Sequence, residues 1–93
     1  MRTIRRSTRF KKDFKREMRA GHGHAFLETL TAIIQQLAED APLPGRLYDH
    51  ALTGNWSGYR DCHIRPDLVL IYRKPDSEIL DLVRLGSHSE LDL

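Results

Sequence analysis

The chain is poor in features that would place it in several large classes. It has one cysteine, Cys62, in 93 residues, so no internal disulfide staples it, and a lone thiol fits a reducing compartment. The cytoplasm is the expected location. The longest strongly apolar run is LVLIY at 68–72, far short of the ~20 residues a membrane helix requires, so no membrane partner is expected. There are no repeats, linkers or low-complexity segments, and a chain this short is expected to form a single domain over 1–93. The Arg-rich start has the superficial look of a transit peptide, but Asp13 and Glu17 lie within it and it reads as a strand followed by a helix. A metal site also lacks support: His22 and His24 form an H-x-H pair in GHGH with no third or fourth ligand at a usual spacing. They read as solvent-exposed loop histidines.

Charge is present in quantity and unevenly placed. The net charge is +2, but residues 1–20 hold nine Arg or Lys against two acids, a local +7, while residues 21–93 carry −5. Such a segment is a nucleic-acid footprint, a dock for an acidic partner, or a solvated helix face.

The pattern of apolar residues predicts an α+β domain. A short first strand (RTIRRS) precedes a helix capped by Ser7, with Phe10, Phe14 and Met18 as its core stripe and Lys11, Lys12, Lys15, Arg16 and Arg19 on the remaining surface. Gly21 ends it. A second helix spans 25–41, with Phe26, Leu27, Leu30, Ile33, Ile34 and Leu37 facing the core, until Pro42 and Pro44 stop it. The two helices read as an antiparallel hairpin on one face of an antiparallel sheet. That sheet ends in a three-stranded meander: a strand entering near Tyr59, a tight reversal at RPD, the central strand LVLIYRK, and EILDLVRLG.

Within this frame the segment GYRDCHIRPD is unusually rich in titratable groups for a small domain. His63 precedes the reversal and Asp67 ends it, so the two lie side by side. Arg84 is late on the last strand, His88 just beyond it, and His50 lies in the loop entering the sheet. Each has an unremarkable alternative: Asp67 as a turn-former, Arg84 in a cross-strand pair with Asp61 or Asp81, the histidines as half-exposed residues. As a set they suit metal-independent cleavage of RNA, in which the 2′-OH attacks the neighbouring phosphate. Imidazoles serve as base and acid near neutral pH, and a guanidinium grips phosphate oxygens. No cofactor or metal is expected.

The stretch YDHALTGNWSGYRDCHIRPDLVLIYRK, followed by RLGSHSEL, resembles the YafQ branch of the RelE/ParE toxin superfamily. The resemblance covers about Leu43 to Leu91, with the helices fitting more loosely. It implies a RelE-like, microbial-ribonuclease-like fold and the toxin half of a type II toxin–antitoxin pair. The implied activity is an endoribonuclease cutting mRNA in the ribosomal A site, leaving a 2′,3′-cyclic phosphate and neutralised by a cognate antitoxin. It makes His50, His63, Asp67, Arg84 and His88 the active-site set. Here His88 is expected as general acid, His63 with Asp67 as the base side, His50 as positioning group or part of the base, and Arg84 at the phosphate. Lys11, Lys12, Lys15, Arg16, Arg60 and Arg65 are the expected contacts to ribosomal RNA and mRNA. The sequence departs from the family at Asp92, where relatives carry an aromatic residue, and at Leu68, where some carry tryptophan. Two other readings are a weakened member that only binds antitoxin or RNA, and a ParE-like gyrase inhibitor, against which the three histidines speak.

Overall fold

The computed structural model describes all residues, 1–93. In chain order the elements are β1 (Thr3–Arg6), α1 (Thr8–Arg19), α2 (Gly23–Ala38), a 3-10 turn (Gly45–Leu47), β2 (His50–Ala51), a second 3-10 turn (Gly54–Trp56), β3 (Arg60–Arg65), β4 (Leu68–Arg73) and β5 (Ile79–Gly86). The sheet order is β1-β5-β4-β3-β2, with β4 central as the sequence predicts. The sheet is mixed rather than wholly antiparallel. The meander β3-β4-β5 and the β2 pairing are antiparallel, but β1 runs parallel to β5, Thr3 opposite Ile79 and Arg6 opposite Leu82. The helical hairpin carries the chain from one side of the sheet to the other, a connection long enough to bring in a parallel neighbour.

The main core lies between the helices and the sheet. Phe10, Phe26, Leu30, Ile33 and Leu37 meet Cys62, Ile64, Leu70, Tyr72, Leu80, Leu82 and Leu85 there. An extra residue in β5 opposite the Ile71/Tyr72 step shifts its alternation, so that Leu80, Leu82 and Leu85 all join this core. Such a bulge also strengthens the local twist. A smaller cluster, Val69, Ile71 and Leu91, forms on the opposite face, where Leu91 of the C-terminal tail covers the sheet.

Helix α1 corrects the sequence reading in three places. Phe10 is buried, but Met18 is exposed, while Asp13 and Glu17 on the same helix are buried. The cause is the edge of β5. β1 pairs only with residues 79–82, and beyond that point α1 satisfies the strand's free backbone groups. Ser7 Oγ donates to the Val83 carbonyl (2.7 Å), Asp13 Oδ2 accepts the Leu85 N–H (3.0 Å), and Arg16 Nη2 donates to the Leu85 carbonyl (2.7 Å). Ser7 also caps the helix, its Oγ accepting the Phe10 N–H at 2.9 Å. Arg16 approaches the strand so closely that a Cβ at Gly86 would stand 2.9 Å from its Nη2.

Helix α2 starts at Gly23 and stops at Ala38, earlier at both ends than predicted. His24 is therefore helical and exposed, whereas His22 is half-buried: its Nε2 lies 3.0 Å from Glu17 Oε1 and its ring against Phe26. Leu27 stays at the surface, in an apolar groove between the helices lined by Phe10, Phe14, Leu30 and Ile34. No helix is long and apolar enough to cross a membrane.

Candidate active site

The face of the sheet away from the helices carries a cleft of about 460 Å³. Strand alternation explains its floor. Cys62 and Ile64 point into the helix-side core, so Asp61 and His63 project to the other face. His50 enters from the short strand β2, which pairs it directly with Asp61. His88 is delivered by the tail, immediately beyond β5. The remaining wall comes from the second 3-10 turn and the tail: Leu52, Thr53, Asn55, Trp56, Asp92 and Leu93.

Four rings stand in a row. His50 lies 4.4 Å from Tyr48, Tyr48 5.6 Å from His63, and His63 5.1 Å from His88, measured between ring centroids. Tyr48 adopts φ +49°, an uncommon left-handed conformation outside glycine, asparagine and aspartate. Its carbonyl lies 2.8 Å from His50 Nδ1. A carbonyl can only accept, so Nδ1 carries the hydrogen, and in the neutral ring Nε2 is the nitrogen with the free lone pair.

Asp61 is the group the sequence reading missed as part of the site. It is 2% exposed, and its Oδ1 lies 3.0 Å from His50 Nδ1 yet accepts no hydrogen bond, because the Nδ1–H is directed at the Tyr48 carbonyl. Burial pushes its carboxyl above the usual carboxylate range, against the pull of the three neighbouring imidazoles. The signal lay in the sequence, as an acid between Arg60 and Cys62 at the start of a strand whose alternate residues are buried. Its role depended on the pairing with β2, a strand of two residues that no periodicity reveals.

Asp67 lies at the opposite end of the ring row, against His88. Its Oδ1 accepts the backbone N–H of His88 at 3.1 Å and sits 2.7 Å from Nδ1 of the same residue. The hydrogen bond from His88 holds the Asp67 carboxyl below its ordinary range. Its hydrogen-bonding partner is thus the expected acid, His88, rather than His63, with which the sequence reading grouped it.

Arg84 does not line the cleft. Its Nε donates to Asp13 Oδ2 at 2.7 Å, so neither Asp61 nor Asp81 is its partner; Asp81 pairs with Arg5 and Arg73 instead. The other predicted cations divide into two groups. Lys11, Lys12 and Lys15 are exposed on α1, in the helical layer behind the sheet. Arg16 is held by Asp13, Glu17 and Glu90. Arg60 pairs with Asp49, and Arg65 donates to the His22 carbonyl.

The helix layer, the five-stranded sheet and the cleft holding three histidines and two aspartates agree with the RelE-like toxin fold that the sequence resemblance implies. The model of a family described as the bacterial toxin of type II toxin–antitoxin system, YafQ, matches residues 2–93, and the chain belongs to that family. It is 36% identical over 91 residues to the mRNA interferase toxin YafQ of Escherichia coli K12, covering 97% of this chain and 95% of that protein. Among known structures it is similar to a metal-bound toxin from Helicobacter pylori (42% identity, 98% and 99% of the two chains, TM-score 0.87). It is also similar to YafQ in the E. coli DinJ–YafQ complex (34% identity, 98% of each chain, TM-score 0.85). In the present chain no three His, Cys, Asp or Glu side chains converge as a metal site.

Proposed function

We propose that this chain is an mRNA interferase: a ribosome-dependent endoribonuclease that cuts mRNA in the A site and is neutralised by a cognate antitoxin. The observation that carries the reading is the row of rings with a carboxylate at each end. His50 presents a lone pair on Nε2, and His88 is held through Nδ1 by an ionised aspartate. His50, His63 and His88 line one cleft, so a base and an acid can act there on one phosphate, the 2′-oxygen attacking in line with the departing 5′-oxygen.

In this mechanism His50 Nε2 takes the proton from the ribose 2′-OH, and the 2′-oxygen forms a bond to the adjacent phosphorus. The P–O5′ bond breaks, and protonated His88 gives its Nε2 proton to the departing O5′. The products are a 2′,3′-cyclic phosphate and a 5′-hydroxyl. His63, between the two along the row, faces the phosphate. Each proton transfer contributes about 10²–10⁴-fold to the rate. Asp67 balances the charge of the His88 imidazolium and fixes its orientation. This assignment moves the base from His63 to His50 and makes Asp67 the partner of the acid. Arg84, paired with Asp13 outside the cleft, acts as a structural residue here.

The ribosome enters through charge. Lys11, Lys12 and Lys15 lie on the layer behind the cleft, so their place is against ribosomal RNA, where phosphate contacts set orientation rather than read sequence. The name of the E. coli relative and the DinJ complex support the mRNA target and the antitoxin. The test is a purified translation system with one defined mRNA: cuts in phase with the codons, absent when ribosomes are omitted, are the expected result. Equal cutting of free RNA would contradict the ribosome dependence.

A further inference from the structure

The mechanism uses one wall of the cleft and leaves the other unexplained. That second wall brings together Thr53, Asn55 and Asp92 beside Trp56. The hydrogen bonds around the cleft join other groups, His50 to Tyr48, Trp56 to the Leu91 carbonyl and His88 to Asp67, leaving the solvent-exposed side chains of Thr53, Asn55 and Asp92 free to meet a ligand. Asp92 also holds a left-handed backbone conformation, φ +59°. The turn around it is tied at three points: Leu91 N–H to Ser87 O at 3.1 Å, Asp92 N–H to Ser89 O at 3.2 Å, and Leu93 N–H to His88 O at 2.9 Å. Beneath it Leu91, 2% exposed, packs on Val69 and Ile71. An exposed acid thus stands on a fixed stretch of backbone in the wall of a site whose proposed substrate is a polyanion.

A carboxylate there works against phosphate, so its chemistry is suited to the other part of a nucleotide. It can only accept hydrogen bonds, and two of its lone pairs lie in one plane. Guanine alone presents two adjacent donors on its pairing edge, N1–H and the 2-amino group. Adenine and cytosine present one donor beside an acceptor, and uracil one donor between two carbonyls that a carboxylate repels. Asn55 can complete the edge as donor and acceptor.

We propose that Thr53, Asn55 and Asp92 form a base-recognition pocket for guanine next to the scissile phosphate, with Asp92 accepting from N1–H and the 2-amino group. The proposal rests on the nuclease reading above. It assigns base selection to hydrogen bonding at a position where the resemblance leads one to expect an aromatic residue.

The test varies all three codon nucleotides of a defined mRNA in the translation system and replaces guanine by inosine, which lacks the 2-amino group. The wild-type protein should favour guanine at one codon position by about tenfold or more, the scale of a hydrogen bond to a charged group. Inosine there, or Asp92→Asn, should each remove most of the preference, and the two together no more than one alone. Absence of any guanine preference, equal scaling of every codon by Asp92→Asn, or losses that multiply would overturn the proposal. If the wild type cuts no mRNA, the nuclease reading fails first, and binding decides the pocket. A 2′-deoxy trinucleotide containing guanine should then shift the backbone amide signals of Asn55 and Asp92 more than its inosine counterpart, and equal shifts would overturn it.

Discussion

One oxygen of Asp67 accepts two hydrogen bonds from His88, the backbone N–H at 3.1 Å and ring Nδ1 at 2.7 Å. The turn between β3 and β4 thereby fixes both where the tail starts and which ring nitrogen faces the cleft. Asp67→Asn keeps an acceptor but removes the charge opposite the imidazolium. It should lower kcat by about 10- to 100-fold, the range for hydrogen bonds to charged groups, with little change in KM. Single-turnover cleavage on programmed ribosomes measures this.

Asp61 trades stability for position. Its carboxyl is raised by burial, so its contribution to stability is complete below the unfolded value of about 3.9 and is lost as pH rises through the folded one. Ionisation near neutrality therefore costs folding free energy. Asp61→Asn should raise the Tm at pH 7 by a few degrees, on the scale of ~1 kcal/mol, yet slow cleavage by loosening His50. Thermal denaturation between pH 4 and 8 should show the variant's advantage growing with pH. An advantage independent of pH would mean that desolvation of the charged form is not the cause.

Asp13 behaves in the opposite sense. Burial raises its carboxyl, but Arg84, the Leu85 N–H and Arg16 together outweigh that and hold it below the ordinary range. Its stabilisation is present above the unfolded value of about 3.9 and is lost as pH falls through the folded one. Asp13→Ala strands Arg84 and the β5 edge, and should cost about 3–5 kcal/mol, as for a broken buried pair. Denaturant unfolding at pH 7 measures the loss, and acid titration should show the variant less sensitive below pH ~4.

Much of this fold was legible because its signals are local. Ser7 and Gly21 bound α1, RPD turns β3 into β4, and the LVLIY run is buried as a central strand must be. The parallel pairing of β1 with β5 is a contact over more than seventy residues and leaves no periodic trace. The same pairing explains the errors on α1. Asp13, Glu17 and Arg16 look like solvated helix surface; the unfinished edge of β5 gives Asp13 and Arg16 their partners, and Arg16 with His22 gives Glu17 its own. In the candidate site, the meeting of His50, His63 and His88 in one cleft was expected from their positions near strand ends. Asp61 and Tyr48 were not, because their roles depend on β2 and on a left-handed turn. Arg84 was placed in the cleft because its strand leads there, and its side chain goes to Asp13 instead.

The exposed lysines of α1 lie away from the cleft, so they should act on binding alone. Replacing Lys11, Lys12 and Lys15 by glutamine should weaken ribosome association at every codon alike and make it less sensitive to salt, since each phosphate contact adds roughly one unit to the slope. Sedimentation binding at several salt concentrations measures both. A change in cleavage pattern rather than affinity would place these side chains on the mRNA.

The central claim is that the imidazoles at the ends of one row perform a transesterification. The most direct measurement is the chemistry of the cut ends, for the wild type and His88→Ala on the same programmed ribosomes. The account predicts an upstream fragment ending in a 2′,3′-cyclic phosphate and a downstream fragment with a 5′-hydroxyl, and a rate about 10²–10⁴-fold lower in the variant. A 3′-hydroxyl with a 5′-phosphate, or cleavage undiminished by His88→Ala, would contradict it.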